Sequence, residues 1–273
     1  MPTTTPVCLR LLAYVIALAL IGAADTAAQN ASTTYEPTPG QAGKDVVWVP
    51  TPQELVEKML DMAQVTPQDV VMDLGSGDGR NIIAAAKRGA RAIGVEYNPD
   101  MVALSRRRAQ EAGVGDRATF IQGDMFEADI SKATVLALFL LPSNLDKLAP
   151  KFLTLRPGTR IVNNTFNVTG WEADATETIE GTCQSWCTSM LNIVPARVAG
   201  TWRIGNSDLT LTQDFQMVSG TLGTTAVNGR LKGEQITFSA GDAQYSGKVT
   251  GDRMEGTVTR GGKGENWSAT KAK

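Results

Sequence analysis

The spacing of apolar and polar positions changes character twice along the chain. Thr51 suits a helix N-cap and Pro52 a first helical residue, and Leu55, Met59 and Met62 then recur near helical spacing. From Val70 strands and helices alternate. Residues 70–74 read as a short buried strand, 81–88 as a helix, 92–96 as a second strand, and 100–112 as a helix opened by an Asn98-Pro99-Asp100 turn. A third strand follows at 119–122, a fourth at 135–141 that is apolar on both faces, a helix at 143–152 and a fifth strand at 160–164. This alternation predicts an α/β, Rossmann-like domain: a mainly parallel sheet with helices on both faces. From about Val198, Gly and Thr dominate and helical periodicity stops. Short alternating runs at 209–212, 230–232, 235–238, 244–249 and 254–258 are separated by Gly-containing turns. They predict a small all-β domain, a meander or barrel of about six to eight antiparallel strands. Within it, Trp202 and Trp267 are expected to fill the core.

The N-terminal pattern is of another kind. Arg10 precedes an uncharged apolar run, Leu11 to Ala24, of signal-peptide rather than membrane-spanning length. Thr26-Ala27-Ala28 offers a small-x-small cleavage site. The expected layout is a signal peptide at 1–28, a flexible linker at 29–46, the α/β domain at 47–196 and the β-rich domain at 197–273. Export to the periplasm or medium is expected, with no stable transmembrane helix after cleavage. An uncleaved signal would instead anchor the chain, with the remainder still outside the cytoplasm.

Composition narrows the chemistry. The 273 residues are 42% hydrophobic and carry a formal net charge of -2. That balance gives no general attraction to nucleic acid, and none is expected as a partner. The run Arg106-Arg107-Arg108 reads as the solvated face of a helix. The absence of histidine removes imidazole acid–base catalysis and His-ligated zinc, and no metal site is expected. After cleavage two cysteines remain, Cys183 and Cys187. In an oxidising compartment so close a pair can form a disulfide, but so small a loop gains little entropically, and the spacing leaves both the bridge and free thiols open.

The chemistry-bearing segment is Asp73-Leu74-Gly75-Ser76-Gly77-Asp78-Gly79, directly after the first strand. A dinucleotide fingerprint would place its third glycine one position later. Two carboxylates, Asp73 and Asp78, flank the loop and would repel a pyrophosphate. They favour a cationic ligand, and S-adenosylmethionine carries both a sulfonium and an ammonium group. Glu96 closes the second strand, where a carboxylate can accept from both ribose hydroxyls. Asp124 follows the third strand, where it can accept from an adenine amine while Met125 packs on the ring. All lie at the C-terminal ends of parallel strands, where open α/β sheets bind ligands.

At these residues the chain resembles a known family. Residues 48–171 resemble the class I, seven-β-strand lysine methyltransferases that modify the mitochondrial adenine nucleotide translocase and the ATP synthase c-subunit, and their bacterial relatives. The resemblance rests on Val49-Pro50-Thr51-Pro52, the acidic glycine loop through Arg80, Gly94-Val95-Glu96-Tyr97-Asn98-Pro99, Leu138-Phe139-Leu140-Leu141-Pro142, and Thr165-Phe166 leading to Trp171. It implies S-adenosyl-L-methionine as cofactor, held by Asp73, Gly75, Ser76, Gly77, Asp78, Glu96, Tyr97, Asp124 and Met125. It implies a protein lysine or small amine as methyl acceptor, approached through a channel bordered by Trp48, Pro50, Leu140 and Pro142. No general base stands out. Asn81 departs from the family, which usually has an aliphatic residue there, and so do the export signal and the β-rich module. The alternative is an exported, non-enzymatic ligand-binding protein that retains the methyltransferase fold.

Overall fold

The computed structural model of the protein describes residues 1–2, 35–181 and 183–272. The signal segment expected at 1–28 therefore lies almost wholly outside the described residues. Among those described, no helix is long and apolar enough to cross a membrane. The chain divides into two units, 1–35 and 36–273. The second unit contains every helix and strand described below.

Its first part is a three-layer α/β sandwich. The elements are α1 (Gln53–Met62), β1 (Val70–Leu74), α2 (Arg80–Lys87), β2 (Arg91–Glu96), α3 (Pro99–Glu111), β3 (Ala118–Gln122), β4 (Val135–Leu138), α4 (Pro142–Phe152), β5 (Arg160–Asn164), β6 (Ala175–Thr178) and β7 (Thr188–Ile193). They build a seven-stranded sheet in the order β3-β2-β1-β4-β5-β7-β6. Strands β1 to β5 run parallel, and β7 lies antiparallel between β5 and β6. The seven strands agree with the family resemblance. One sheet face packs on α1, α2 and α3 through Leu55, Met59, Ile82 and Val102, and the other on α4 through Leu145, Leu148 and Phe152.

Local chemistry explains most boundaries. Asn98 caps α3, accepting from the backbone N–H of Asp100 at 2.9 Å, with Pro99 in the first turn. Two expectations shift. Pro52, not Thr51, sits at the N-cap of α1. Thr51 instead accepts from Arg80 Nη1 through its carbonyl at 2.6 Å and from Asn164 Nδ2 through its hydroxyl at 3.2 Å. The fourth strand stops at Leu138, so Phe139, Leu140 and Leu141 leave the sheet at its C-terminal edge.

The second part is a closed barrel of eight antiparallel strands: β8 (Gly200–Ile204), β9 (Ser207–Asp214), β10 (Met217–Leu222), β11 (Thr225–Lys232), β12 (Gln235–Ala240), β13 (Ala243–Thr250), β14 (Arg253–Arg260) and β15 (Lys263–Lys271). β15 pairs with β8, so the meander leaves no free edge. Side chains fill the interior, including Trp202, Leu209, Leu231, Phe238, Tyr245 and Trp267. Gly247 and Gly256 face each other across β13 and β14. A Cβ on Gly247 would lie 2.8 Å from the Trp267 ring, and one on Gly256 would lie 2.0 Å from the Ser246 carbonyl oxygen. Gly247 thus makes room for the indole, and Gly256 for the close approach of the neighbouring strand. The barrel packs on the sheet part through Trp171 stacked on Phe215, with ring centroids 5.0 Å apart, and through Arg230 bonded to Asp174.

Candidate active site

A cleft opens along the C-terminal ends of β3, β2, β1, β4 and β5. The strand order sets what lies next to what. Asp124 and Met125 follow β3, Glu96 ends β2 and Tyr97 follows it, Asp73 and Leu74 end β1 and Gly75 to Gly77 follow it, Phe139 to Leu141 follow β4, and Phe166 follows β5; all of these line the cleft except Leu74.

At its centre, β1 presents Val71 to the helical layer of α1 to α3, and Met72 and Leu74 to α4. Alternation therefore turns Asp73 towards α2. There Asn81, in the first turn of α2, donates from Nδ2 to Asp73 Oδ2 at 3.0 Å and to the Ala137 carbonyl at 3.3 Å. Asp73 is only 4% exposed. Burial pushes its pKa up to about 8; the Asn81 hydrogen bond opposes that rise, and the charges of Glu96 and Asp78 add to it. The glycine loop then crosses to β2, with the backbone N–H groups of Gly75 and Ser76 donating to the Val95 carbonyl. Gly77 has φ +54°, and the Trp48 indole nitrogen lies 2.6 Å from where its Cβ would be. Only glycine lets Trp48 close over the loop there. Ser76 Oγ and Asn81 Oδ1 are buried without a hydrogen-bond partner, and both residues line the cleft.

Glu96 is held by two backbone groups: Gly77 N–H donates to Oε2 and Asn98 N–H to Oε1, each at 2.9 Å. At the β3 end, Asp124 accepts from Phe126 N–H at 2.8 Å and from Lys44 Nζ. The Lys44 hydrogen bond holds the Asp124 carboxyl below its usual range. Lys44 Nζ also lies 5.1 Å from the centroid of the Tyr97 ring.

Two expected site residues are placed elsewhere. Asp78 does not line the cleft. It is 3% exposed and bonded to Arg80 Nη2 at 2.7 Å and to Arg108 Nη1. Burial works to raise its pKa, but Arg80 and Arg108 hold it below the usual carboxylate value. Asp78 is thus paired with two arginines inside the fold and lies outside the cleft lining. The arginine run lies on a helix face that reaches solvent, as expected, with its side chains bonded to the fold. Arg108 also bonds Glu36, Arg107 bonds Glu36, and Arg106 donates to the Phe120 carbonyl. Pro142 is the second correction: it opens α4 on the exposed surface and does not line the cleft, whereas Trp48, Pro50, Leu140 and Leu141 do.

The structure also brings in residues that the sequence pattern did not single out. Residues 41–46, expected within a linker, line the cleft together with Val47 as a short loop closed by Trp48 N–H donating to the Gln41 carbonyl at 2.9 Å. Their polar composition gave no sign of this beyond the lone cation Lys44. Trp186 enters from the segment before β7. Cys183 and Cys187 form a disulfide around it.

The donor and acceptor set suits a nucleoside with a cationic amino-acid tail. Carboxylates sit at the ends of β1, β2 and β3, glycines leave room beside them, and Ser76 and Asn81, each with a buried polar atom that lacks a partner, line the cleft. Known proteins agree. The ANTKMT methyltransferase domain matches residues 73–175. A protein-lysine N-methyltransferase of Saccharolobus islandicus is 44% identical over 129 residues, covering 46% of this chain and 80% of that protein. The lysine N-methyltransferase of the ATP synthase c-subunit from Mus musculus is 36% identical over 144 residues, and the match spans 58% of its length and 52% of this chain. An RNA methyltransferase from Salinibacter ruber, crystallised with S-adenosyl-L-homocysteine, superposes with a TM-score of 0.52 at 46% identity, covering 55% of this chain and 96% of that one. With the acidic strand ends and the seven-stranded sheet, these relatives place the chain in the ANTKMT methyltransferase-domain family of class I S-adenosylmethionine-dependent methyltransferases.

Proposed function

We propose that this protein transfers the methyl group of S-adenosylmethionine to the side-chain amine of a protein lysine. The observation that carries the reading is the cleft's polarity along the sheet. Three carboxylates occupy the β1 to β3 end, and an apolar, aromatic wall occupies the β4 and β5 end. In this reading Glu96 accepts from the ribose hydroxyls, Asp73 accepts from the ammonium group, and Asp124 and Met125 border the adenine. Gly75 and Gly77 leave room for close backbone approach, and Ser76 lines the same turn. Tyr97 lies beside the ribose and adenine carboxylates. The cofactor supplies a methyl group on a sulfonium whose departure as a neutral thioether needs no acid. The chain's own work is then alignment and exclusion of water. Trp48, Pro50 and Leu140 wall the path by which a neutral amine approaches, and the amine's proton passes to solvent.

Export is part of the proposal. It rests on the Leu11–Ala24 pattern and is supported by the Cys183–Cys187 disulfide, which suits an oxidising compartment. A second reading, an RNA acceptor, is favoured by the Salinibacter relative. Against it stands the charge of the cleft, where Lys44 and Arg80 are tied to Asp124 and Asp78. Labelled methyl transfer separates the two. The protein incubated with labelled cofactor and with protein or RNA fractions is expected to label protein, with the label on lysine by mass spectrometry. Label confined to RNA would replace this proposal with the second reading.

A further inference from the structure

The aromatic end of the cleft has features that ordinary core packing does not require. Phe139, Phe166 and Trp186 touch one another, with ring centroids 6.3, 5.9 and 5.4 Å apart, and all three line the cleft. None is fully buried, and Trp186 is 40% exposed. Two of the three are delivered by backbone that L-residues rarely adopt. Trp186 itself has φ +61°, and Thr165, immediately before Phe166, has φ +60°. For a β-branched or bulky residue this conformation is strained. Specific contacts hold both in place. Thr165 N–H donates to the Thr188 carbonyl and its hydroxyl to Asn164 Oδ1, while the Cys183–Cys187 disulfide closes the loop carrying Trp186. Because β7 runs antiparallel to β5, with Ser189 opposite Asn164, that loop emerges beside Phe166. Strain of this kind, at a partly exposed cluster in a cleft, points to a ligand.

We propose that Trp186, presented by the disulfide loop, forms with Phe139 and Phe166 an aromatic wall that binds the methyl acceptor in its protonated alkylammonium form, before its proton passes to solvent and the neutral amine reacts, and binds the methylated ammonium products. This rests on the methyl-transfer reading above. Aromatic faces attract an ammonium through the ring quadrupole, and they accommodate N-methyl groups as readily as N–H. The wall lies past β4, at the far side of the glycine loop from Glu96 and Asp124, so it faces the end of the cleft left for the acceptor. Trp186 is here a specificity residue, and the two cysteines are positioning residues for it.

The test uses the whole protein with S-adenosylhomocysteine bound. The probes are acetylated trimethyl-lysine amide and its uncharged isostere, in which carbon replaces the ammonium nitrogen, followed by tryptophan fluorescence and calorimetry. The cation is expected to bind at least about threefold more tightly than the isostere. Trp186→Phe keeps that preference. Trp186→Ala and the Cys183→Ser/Cys187→Ser double variant lose most of it, with S-adenosylhomocysteine affinity unchanged in all three. Equal binding of the two probes, no binding of the cation, or full preference retained in Trp186→Ala would overturn the wall. Full preference in the double serine variant would overturn the role of the disulfide. Failure of the wild-type protein to bind S-adenosylhomocysteine would instead remove the methyl-transfer reading beneath both.

Discussion

Asp73 and Asn81 act as a pair. Burial raises the Asp73 pKa to about 8, so in the free protein the group is protonated at neutral pH. A cationic ligand favours the carboxylate, so binding at pH 7 is expected to release close to one proton. Affinity should rise with pH up to about 8 and then level off. Calorimetry in buffers of different ionisation enthalpy reads the proton directly, and no proton release would contradict the assignment. Stability follows the opposite sign. The folded pKa lies above the unfolded value of 3.8. The buried, protonated Asp73 therefore contributes its full stability below about pH 4, and that contribution declines as pH rises to about 8. Asn81 supplies a hydrogen bond that eases ionisation, which gives a physical role to the residue that departs from the family's aliphatic pattern. Asn81→Leu is expected to move the level-off point of the affinity profile above pH 8; an unchanged profile would count against this role. The sequence marked Asp73 correctly as a strand-end carboxylate. It could not mark Asp78 as paired outside the cleft lining, because one of its partners, Arg108, comes from a helix later in the chain.

The glycine loop and the 41–47 loop meet across Trp48. Gly77→Ala places a methyl group where the indole sits and forces a left-handed alanine, at a cost of roughly 1–2 kcal/mol before any displacement of Trp48. Cofactor affinity is expected to fall by about tenfold or more, with a lower melting temperature, and an unaffected variant would show that Trp48 does not close the site. Lys44 occupies the Asp124 carboxylate that an adenine amine would use. If the ligand displaces it, Lys44→Met raises cofactor affinity modestly and makes it less sensitive to salt. A fall in affinity would mean that Lys44 itself contacts the ligand. None of this loop was legible beforehand, since residues 36–47 have no apolar period and acquire meaning only by packing on distant strand ends. β6 and β7 were also missed. All four residues of β6 are exposed, and β7 mixes polar and apolar positions behind a disulfide loop. The central strands were legible because a parallel strand buried on both faces has to be apolar.

For the whole molecule, the alternation of strands and helices followed by glycine-punctuated strands anticipated both the sheet and the barrel. In the barrel the alternation is plain in β15, where Trp267 and Ala269 point inward between exposed neighbours. The acidic strand ends anticipated the carboxylate-lined half of the cleft, because their chemistry is local to each strand. The aromatic half was only partly legible, since Phe139, Phe166 and Trp186 converge from three separate segments and one of them rides on a disulfide loop. The proposed methyl transfer rests on the carboxylates at the ends of β1 and β2 holding S-adenosylmethionine. The most direct measurement is calorimetric titration of the intact protein with that cofactor, beside Asp73→Ala and Glu96→Ala variants of verified fold. One site per chain is expected for the intact protein, with affinity lowered by about tenfold or more in each variant. No binding by the folded wild-type protein, or equal binding by all three, would contradict it.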